Sequence, residues 1–291
     1  MSKFFDSVEQ VTRALTAADY LPSTDIATAV FLADHLGKPL LVEGPAGVGK
    51  TELARAVAAA ADADLVRLQC YEGIDESRAL YEWNHARQLL RITAAGDGWD
   101  ATRAHVFTEE FLLERPLLRA LRNPRSTVLL IDELDKADAE MEGLLLEVLG
   151  EHQVSIPELG TVTAVRTPFV VLTSNADRDL SEALKRRCLY LHIDYPTAEL
   201  ERAIVRLRVP ELDADLAAAA VSVVGALRAL PLRKTPSIAE TVDWARTLVT
   251  LGARQLGGEV LRSTLGVLLK YRADHRLALR QLGLDPIEDS R

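Results

Sequence analysis

Cysteine, methionine and aromatic residues are scarce in this 291-residue chain, and long uncharged apolar runs are missing. The two cysteines, Cys70 and Cys188, stand far apart with no C-x-x-C spacing, which excludes a disulfide framework and a thiolate metal site. Both read as small buried hydrophobes, and a reducing, cytoplasmic setting fits them. The six histidines are scattered without an H-x-x-x-H pair, so neither a histidine metal centre nor a Ser-His-Asp arrangement is suggested. The best apolar stretch, Leu216 to Leu227, falls far short of the roughly 20 residues that span a membrane. Met1 to Asp6 carries no apolar core of a signal peptide. A basic excess is missing too: 34 Lys and Arg face 43 Asp and Glu, a net charge of −9, which argues against a phosphate-backbone partner. What remains is 48% hydrophobic and 26% charged, the balance of a globular protein long enough to bury a large core.

The first half alternates helical patterns with short apolar runs, the signal for a parallel sheet covered on both faces. Five strands are predicted, around Pro39–Glu43, Leu65–Gln69, Thr127–Ile131, Phe169–Thr173 and Leu189–Ile193. Thr24 or Asp25 caps a helix that Gly37 stops, and Glu52 to Ala61 forms an alanine-rich helix. After Pro196 the pattern becomes wholly helical, punctuated by Pro210, Pro231 and Pro236. The expected organisation is therefore an α/β domain over 1–196 and a small all-α lid over 197–291. The acidic end, Ile287 to Arg291, is expected to fray.

Gly44-Pro45-Ala46-Gly47-Val48-Gly49-Lys50-Thr51 matches G-x-x-x-x-G-K-[ST], set between a predicted strand and a predicted helix that opens at Glu52. Its glycines let backbone N–H groups wrap phosphates at a helix N-terminus. Lys50 would reach the β- and γ-phosphates, and the Thr51 hydroxyl would meet Mg2+. Val128-Leu129-Leu130-Ile131-Asp132-Glu133 ends an apolar strand in two acids: Asp132 for the metal shell, Glu133 to polarise the attacking water. Asp135 reads equally as support for that shell or as a helix cap before Ala137.

Beyond these motifs the chain resembles the AAA+ ATPases. Leu172-Thr173-Ser174-Asn175 is similar to the sensor 1 strand, in which Asn175 would position water near the γ-phosphate. Leu180 to Cys188 resembles the segment that carries the arginine finger, with Arg187 at that position and Arg186 as the alternate. A finger reaches the γ-phosphate from a neighbouring subunit, so the resemblance implies a homo-oligomer, a hexameric ring in this family. Two insertions point to a branch. Residues 151–167, with a central Pro-Glu-Leu-Gly turn, read as a β-hairpin before sensor 1, and residues 71–105 occupy the place of a helix-2 insert. Together with Pro236 to Trp244 they are similar to MoxR-family ATPases of the CoxD type. Where that branch commonly carries a sensor 2 arginine this chain has Ser237, so either Arg233 or Lys234 substitutes as the phosphate-facing cation or the lid senses nucleotide differently. Tyr71, Tyr81 and Trp83 in the insert either meet substrate or anchor it to the core.

The resemblance implies an ATP- and Mg2+-dependent remodeller of proteins. Its expected partners are a metalloenzyme awaiting its cofactor and a von Willebrand factor A domain adaptor of CoxE type. The alternative is a nucleic-acid motor, since the hairpin is shared with MCM helicases; the acidic total and hairpin acids Glu151 and Glu158 count against it. A small-molecule kinase on the same loop is disfavoured by the helical C-terminal region.

Overall fold

A computed structural model describes residues 3–95, 107–157 and 159–284 of the chain. Residues 96–105 of the expected insert, Glu158 and the acidic end lie outside the described residues. The chain divides into two compact units, one of residues 1–44 and 50–192, the other of 45–49 and 193–291.

The first unit is built on a parallel five-stranded sheet. Its strands are β1 (Leu40–Glu43), β2 (Asp64–Gln69), β5 (Thr127–Asp132), β8 (Phe169–Ser174) and β9 (Leu189–His192), in the order β2-β5-β8-β1-β9. Central strands β5 and β8 are buried at every position, which is why they read as unbroken apolar runs rather than alternating ones. Edge strands β2 and β9 each leave residues exposed. Helices α1 (Val8–Ala17), α2 (Thr24–Leu36) and α3 (Lys50–Ala60) precede β2. The cap of α2 is Ser23, whose Oγ accepts the Ile26 N–H at 3.2 Å, rather than Thr24 or Asp25. Gly37 ends that helix at φ 61°, a left-handed geometry that glycine adopts without a Cβ penalty. The nucleotide-loop helix starts at Lys50, two residues earlier than expected.

Two elaborations leave this sheet. Between β2 and β5 come α4 (Glu76–Ala79), β3 (Tyr81–Trp83), α5 (His85–Ala95), β4 (Leu112–Glu114) and α6 (Pro116–Arg122), with β3 and β4 paired antiparallel. Trp83 meets Tyr81 and Phe107 edge-on, at ring separations of 6.2 and 5.5 Å. Tyr81 and Trp83 also pack against the main core, so they anchor the insert, while Tyr71 stays exposed. Between α7 (Ala139–Glu151) and β8 lies the hairpin, β6 (Gln153–Ile156) paired with β7 (Gly160–Thr163). Val154 and Ile156 point into the core and fix its register. A short helix α8 (Glu182–Lys185) precedes β9.

Among the described residues the second unit holds five helices: α9 (Ala198–Arg208), α10 (Ala214–Arg228), α11 (Ile238–Thr250), α12 (Gly258–Leu268) and α13 (Arg272–Gln281). Its core centres on Trp244, fully buried, whose indole N–H donates to Thr264 Oγ1 at 2.9 Å. Inside it the Glu201 carboxylate takes both Nη groups of Arg228 at 2.6 and 2.8 Å and the Thr241 hydroxyl at 2.7 Å. No helix among the described residues is long and apolar enough to cross a membrane.

Candidate nucleotide site

The parallel register ends β1, β5 and β8 on one edge, pairing Glu43 with Ser174 and Ile131 with Leu172. Side chains from positions more than 80 residues apart in sequence meet there. The loop leaving β1 takes positive φ at Gly44 (151°), Gly47 (75°) and Gly49 (100°), values closed to most side chains. It delivers Lys50, 6% exposed, to the sheet edge. Lys50 Nζ donates to the Gly44 carbonyl at 2.6 Å and to Asn175 Oδ1 at 2.9 Å, which holds the ammonium at the mouth of the loop. Burial lowers the Lys50 pKa from its ordinary value, against the pull of Asp135, Asp132 and Glu133. A polyanion arriving at the loop would relieve that cost.

One residue further on, Thr51 Oγ1 donates to Asp132 Oδ1 at 3.0 Å. Asp132, 2% exposed, also accepts from Thr173 Oγ1 at 2.6 Å and pairs with Arg67 at 2.6 Å. A hydroxyl and a carboxylate side by side are the hard oxygen donors that suit Mg2+. Glu133 is the strand's last acid and adopts a left-handed backbone, φ 57°. That uncommon geometry for a non-glycine residue turns its carboxylate outward, where it is exposed and takes a hydrogen bond from Gln69 at 3.1 Å. The Glu133 N–H donates to Thr173 Oγ1 at 2.9 Å. One hydroxyl on β8 thus orients both acids at the end of β5.

Asp135 does not cap the following helix, whose cap is Asp138. The Asp135 carboxylate, 4% exposed, accepts the N–H groups of Asn175 and Asp177, both at 3.2 Å, and so fixes the end of β8 that bears Asn175. Thr173 lies within the strand motif that ends in Asn175 and Arg67 within no motif, and neither has a role that the sequence alone assigns. The sign available beforehand was only that a polar residue ends one buried strand and a cation interrupts another.

Arg186 and Arg187 follow α8 and are both exposed. Arg187 donates to the Ala183 carbonyl at 3.2 Å; the Arg186 side chain makes no hydrogen bond or ion pair among the described residues. Their segment is pinned from behind by Glu142, whose carboxylate takes the Ser181 N–H at 2.8 Å and pairs with Arg178 at 2.6 Å. Burial raises the Glu142 pKa, but the bonds from Ser181 and Arg178 outweigh it, and the net shift is downward. In the helical unit, Lys234 is paired with Glu240 at 3.0 Å and Arg233 lies over the Tyr271 ring at 4.3 Å. Ser237 and Glu240 form a reciprocal cap on α11. Both candidate sensor 2 cations are therefore engaged within their own unit.

A glycine loop at a strand end, a lysine and threonine opening the next helix, and an acid pair on a neighbouring strand define a P-loop nucleoside triphosphatase. The family model described as AAA domain (dynein-related subfamily) matches residues 39–188, just over half of the chain. The chain belongs to that family, and ATP hydrolysis with Mg2+ is the chemistry of its domain. An uncharacterized protein of Staphylococcus aureus is 25% identical over 59% of this chain and 61% of its own length. The ATP-binding subunit ClpL of the ATP-dependent Clp protease from Lactococcus lactis is 36% identical, over 47% of this chain and 16% of ClpL. The chain thus spans less than two thirds of these relatives. A solved structure of a RuvB mutant from Thermotoga maritima superposes with a TM-score of 0.48 at 16% identity, covering 84% of this chain and 67% of that RuvB chain.

Proposed function

We propose that the chain works as a MoxR-type ATPase ring, probed most directly through its hairpin and its two exposed arginines. In this reading the loop amides and Lys50 bind the phosphates, with the loop residues Gly44 to Thr51 and Glu52 as the cradle. Thr51 and Asp132 would hold Mg2+, which supplies charge neutralisation at the transferring phosphoryl group. Glu133, aimed outward from its left-handed turn, takes the proton of the attacking water. Asn175 positions that water while bonded to Lys50. Arg187 of an adjacent subunit, or Arg186, stabilises the developing charge, and a hexamer supplies one such contact per site.

The observation carrying this reading is the β6–β7 hairpin spliced between α7 and β8, the strand that leads to Asn175. A hairpin continuous in sequence with the strand that leads to Asn175 is what a remodeller needs. We take the client to be an immature metalloenzyme in the cytoplasm, presented by a von Willebrand factor A domain protein of CoxE type. A Glu133→Gln chain, which should bind ATP and stall, tests it as a trap in cell extract with and without ATP. Recovery of such an adaptor or client only with ATP supports the proposal. Recovery of DNA with repair or replication proteins overturns it.

A further inference from the structure

At the opposite edge of the sheet from the nucleotide loop, where the strands begin, the first unit holds a cavity of about 320 Å3. Phe4, Asp34, Lys38, His152, Arg166 and Phe169 are among the residues that line it. The volume lies at the lower end of small-molecule sites. The Phe4 and Phe169 rings, 6.1 Å apart, give it an apolar wall. Asp34 is already committed, since its carboxylate accepts the backbone N–H groups of Phe4 and Phe5 at 2.8 and 3.2 Å.

Lys38, Arg166 and His152 keep polar atoms to spare. Lys38 is exposed and makes no side-chain hydrogen bond or ion pair among the described residues. Arg166 spends one N–H on Ser126 Oγ at 3.0 Å and keeps the rest of its fork. His152 Nδ1 is buried with no hydrogen-bond partner among the described residues. A buried ring nitrogen without a partner is costly and rare, so it asks for one. Burial lowers the His152 pKa, which favours the neutral ring with one nitrogen free to donate or accept. Two unspent cations, one orphaned imidazole nitrogen and an aromatic wall around a single void select one ligand chemistry.

We infer that this cavity binds a small organic anion, a carboxylate or phosphate monoester on a compact apolar body, held by Lys38, Arg166 and His152. His152 is the residue just before β6, and Arg166 lies in the link from β7 to β8, so the ligand would join the two roots of the hairpin. The site stands apart from nucleotide chemistry and does not depend on the function proposed above.

The test follows the His152 ring resonance, assigned by its loss in His152→Gln, with the nucleotide loop filled by Mg-ADP. Benzoate, phenyl phosphate and benzylamine are titrated in turn. A saturable shift with benzoate or phenyl phosphate, absent with benzylamine and at least tenfold weaker in Lys38→Ala/Arg166→Ala, supports the inference, and the tighter anion assigns its class. The milder Arg166→Gln serves if the double variant melts early, and the same weakening is expected of it in direction. No saturable shift with either anion overturns the inference. So does equal binding of benzylamine, or unaltered binding by the variants.

Discussion

Asp132 and Glu201 are both buried carboxylates gripped by an arginine and by threonine hydroxyls, yet they sit in opposite circumstances. Glu201 lies in a helix bundle, and its Arg228 side chain is only 13% exposed, with Nε donating to the Pro236 carbonyl and the guanidinium over Tyr195 at 4.7 Å. Nothing can replace that arginine without opening the bundle. Asp132 lies at a sheet edge, and its Arg67 is 43% exposed on an edge strand. There the cation can swing to solvent and leave oxygen lone pairs for an incoming ligand. Burial and partner count do not separate the two; under the proposed function, the displaceable partner is what suits Asp132 to a metal.

The contrast breaks most visibly through turnover. Asp132→Asn should lower kcat on the order of 10²–10³-fold, the cost of losing one preorganised charge-stabilising group, while the melting temperature barely moves. A large loss of stability with turnover retained would reverse the two roles. Next, Arg228→Ala should destabilise the helical unit by about 3–5 kcal/mol, since it strands a buried charge; urea unfolding followed by Trp244 fluorescence reads it. Thr173→Val, near in shape, leaves Asp132 and the Glu133 N–H without their shared hydroxyl, at about 1–3 kcal/mol of stability. Its kcat should fall roughly tenfold, the scale of about 1.4 kcal/mol in the barrier, with KM for ATP little changed, and a shift in KM alone would show that Thr173 serves binding instead.

Acid sharpens the comparison with a third carboxylate. The native Glu142 pKa is lowered, so its contribution is complete above the ordinary glutamate range and fades as pH falls through the native value. The protection factor of the Ser181 amide, the intrinsic exchange rate divided by the observed rate at the same pH, should therefore fall in acid, and Glu142→Gln should show that lower protection already at pH 7. The smallest effect is expected of Arg67→Ala: a few-fold tighter Mg2+ dependence of turnover, as one competitor for Asp132 is removed. Weaker Mg2+ dependence would make Arg67 a support for the site rather than a competitor.

The nucleotide loop, the acid pair and the strand ending at Asn175 were legible because each is written in consecutive residues. The glycines at positive φ announce themselves by identity, and the all-apolar β5 and β8 by composition. Thr173, Arg67 and Asp135 were not legible, because each acts on a residue about 40 or 65 positions away, across strands whose register no local pattern specifies. Asp135 shows the limit well: its place before Ala137 suggested a cap, but folding carries its carboxylate to the amides of Asn175 and Asp177 just past β8. Helix ends erred by a residue or two, as at Ser23, where three neighbouring residues are all good caps and only the backbone decides.

The hairpin's second strand connects through the link 164–168 to β8, which is hydrogen-bonded to β5 on one side and β1 on the other. A tug on the hairpin is therefore carried lengthwise along a strand locked on both flanks. Loaded in that direction, the rungs of the ladder share the force and yield together, not one after another as in peeling. Force that reaches Phe169 would thus meet a ladder paired on both sides along β8, up to Ser174 beside Asn175.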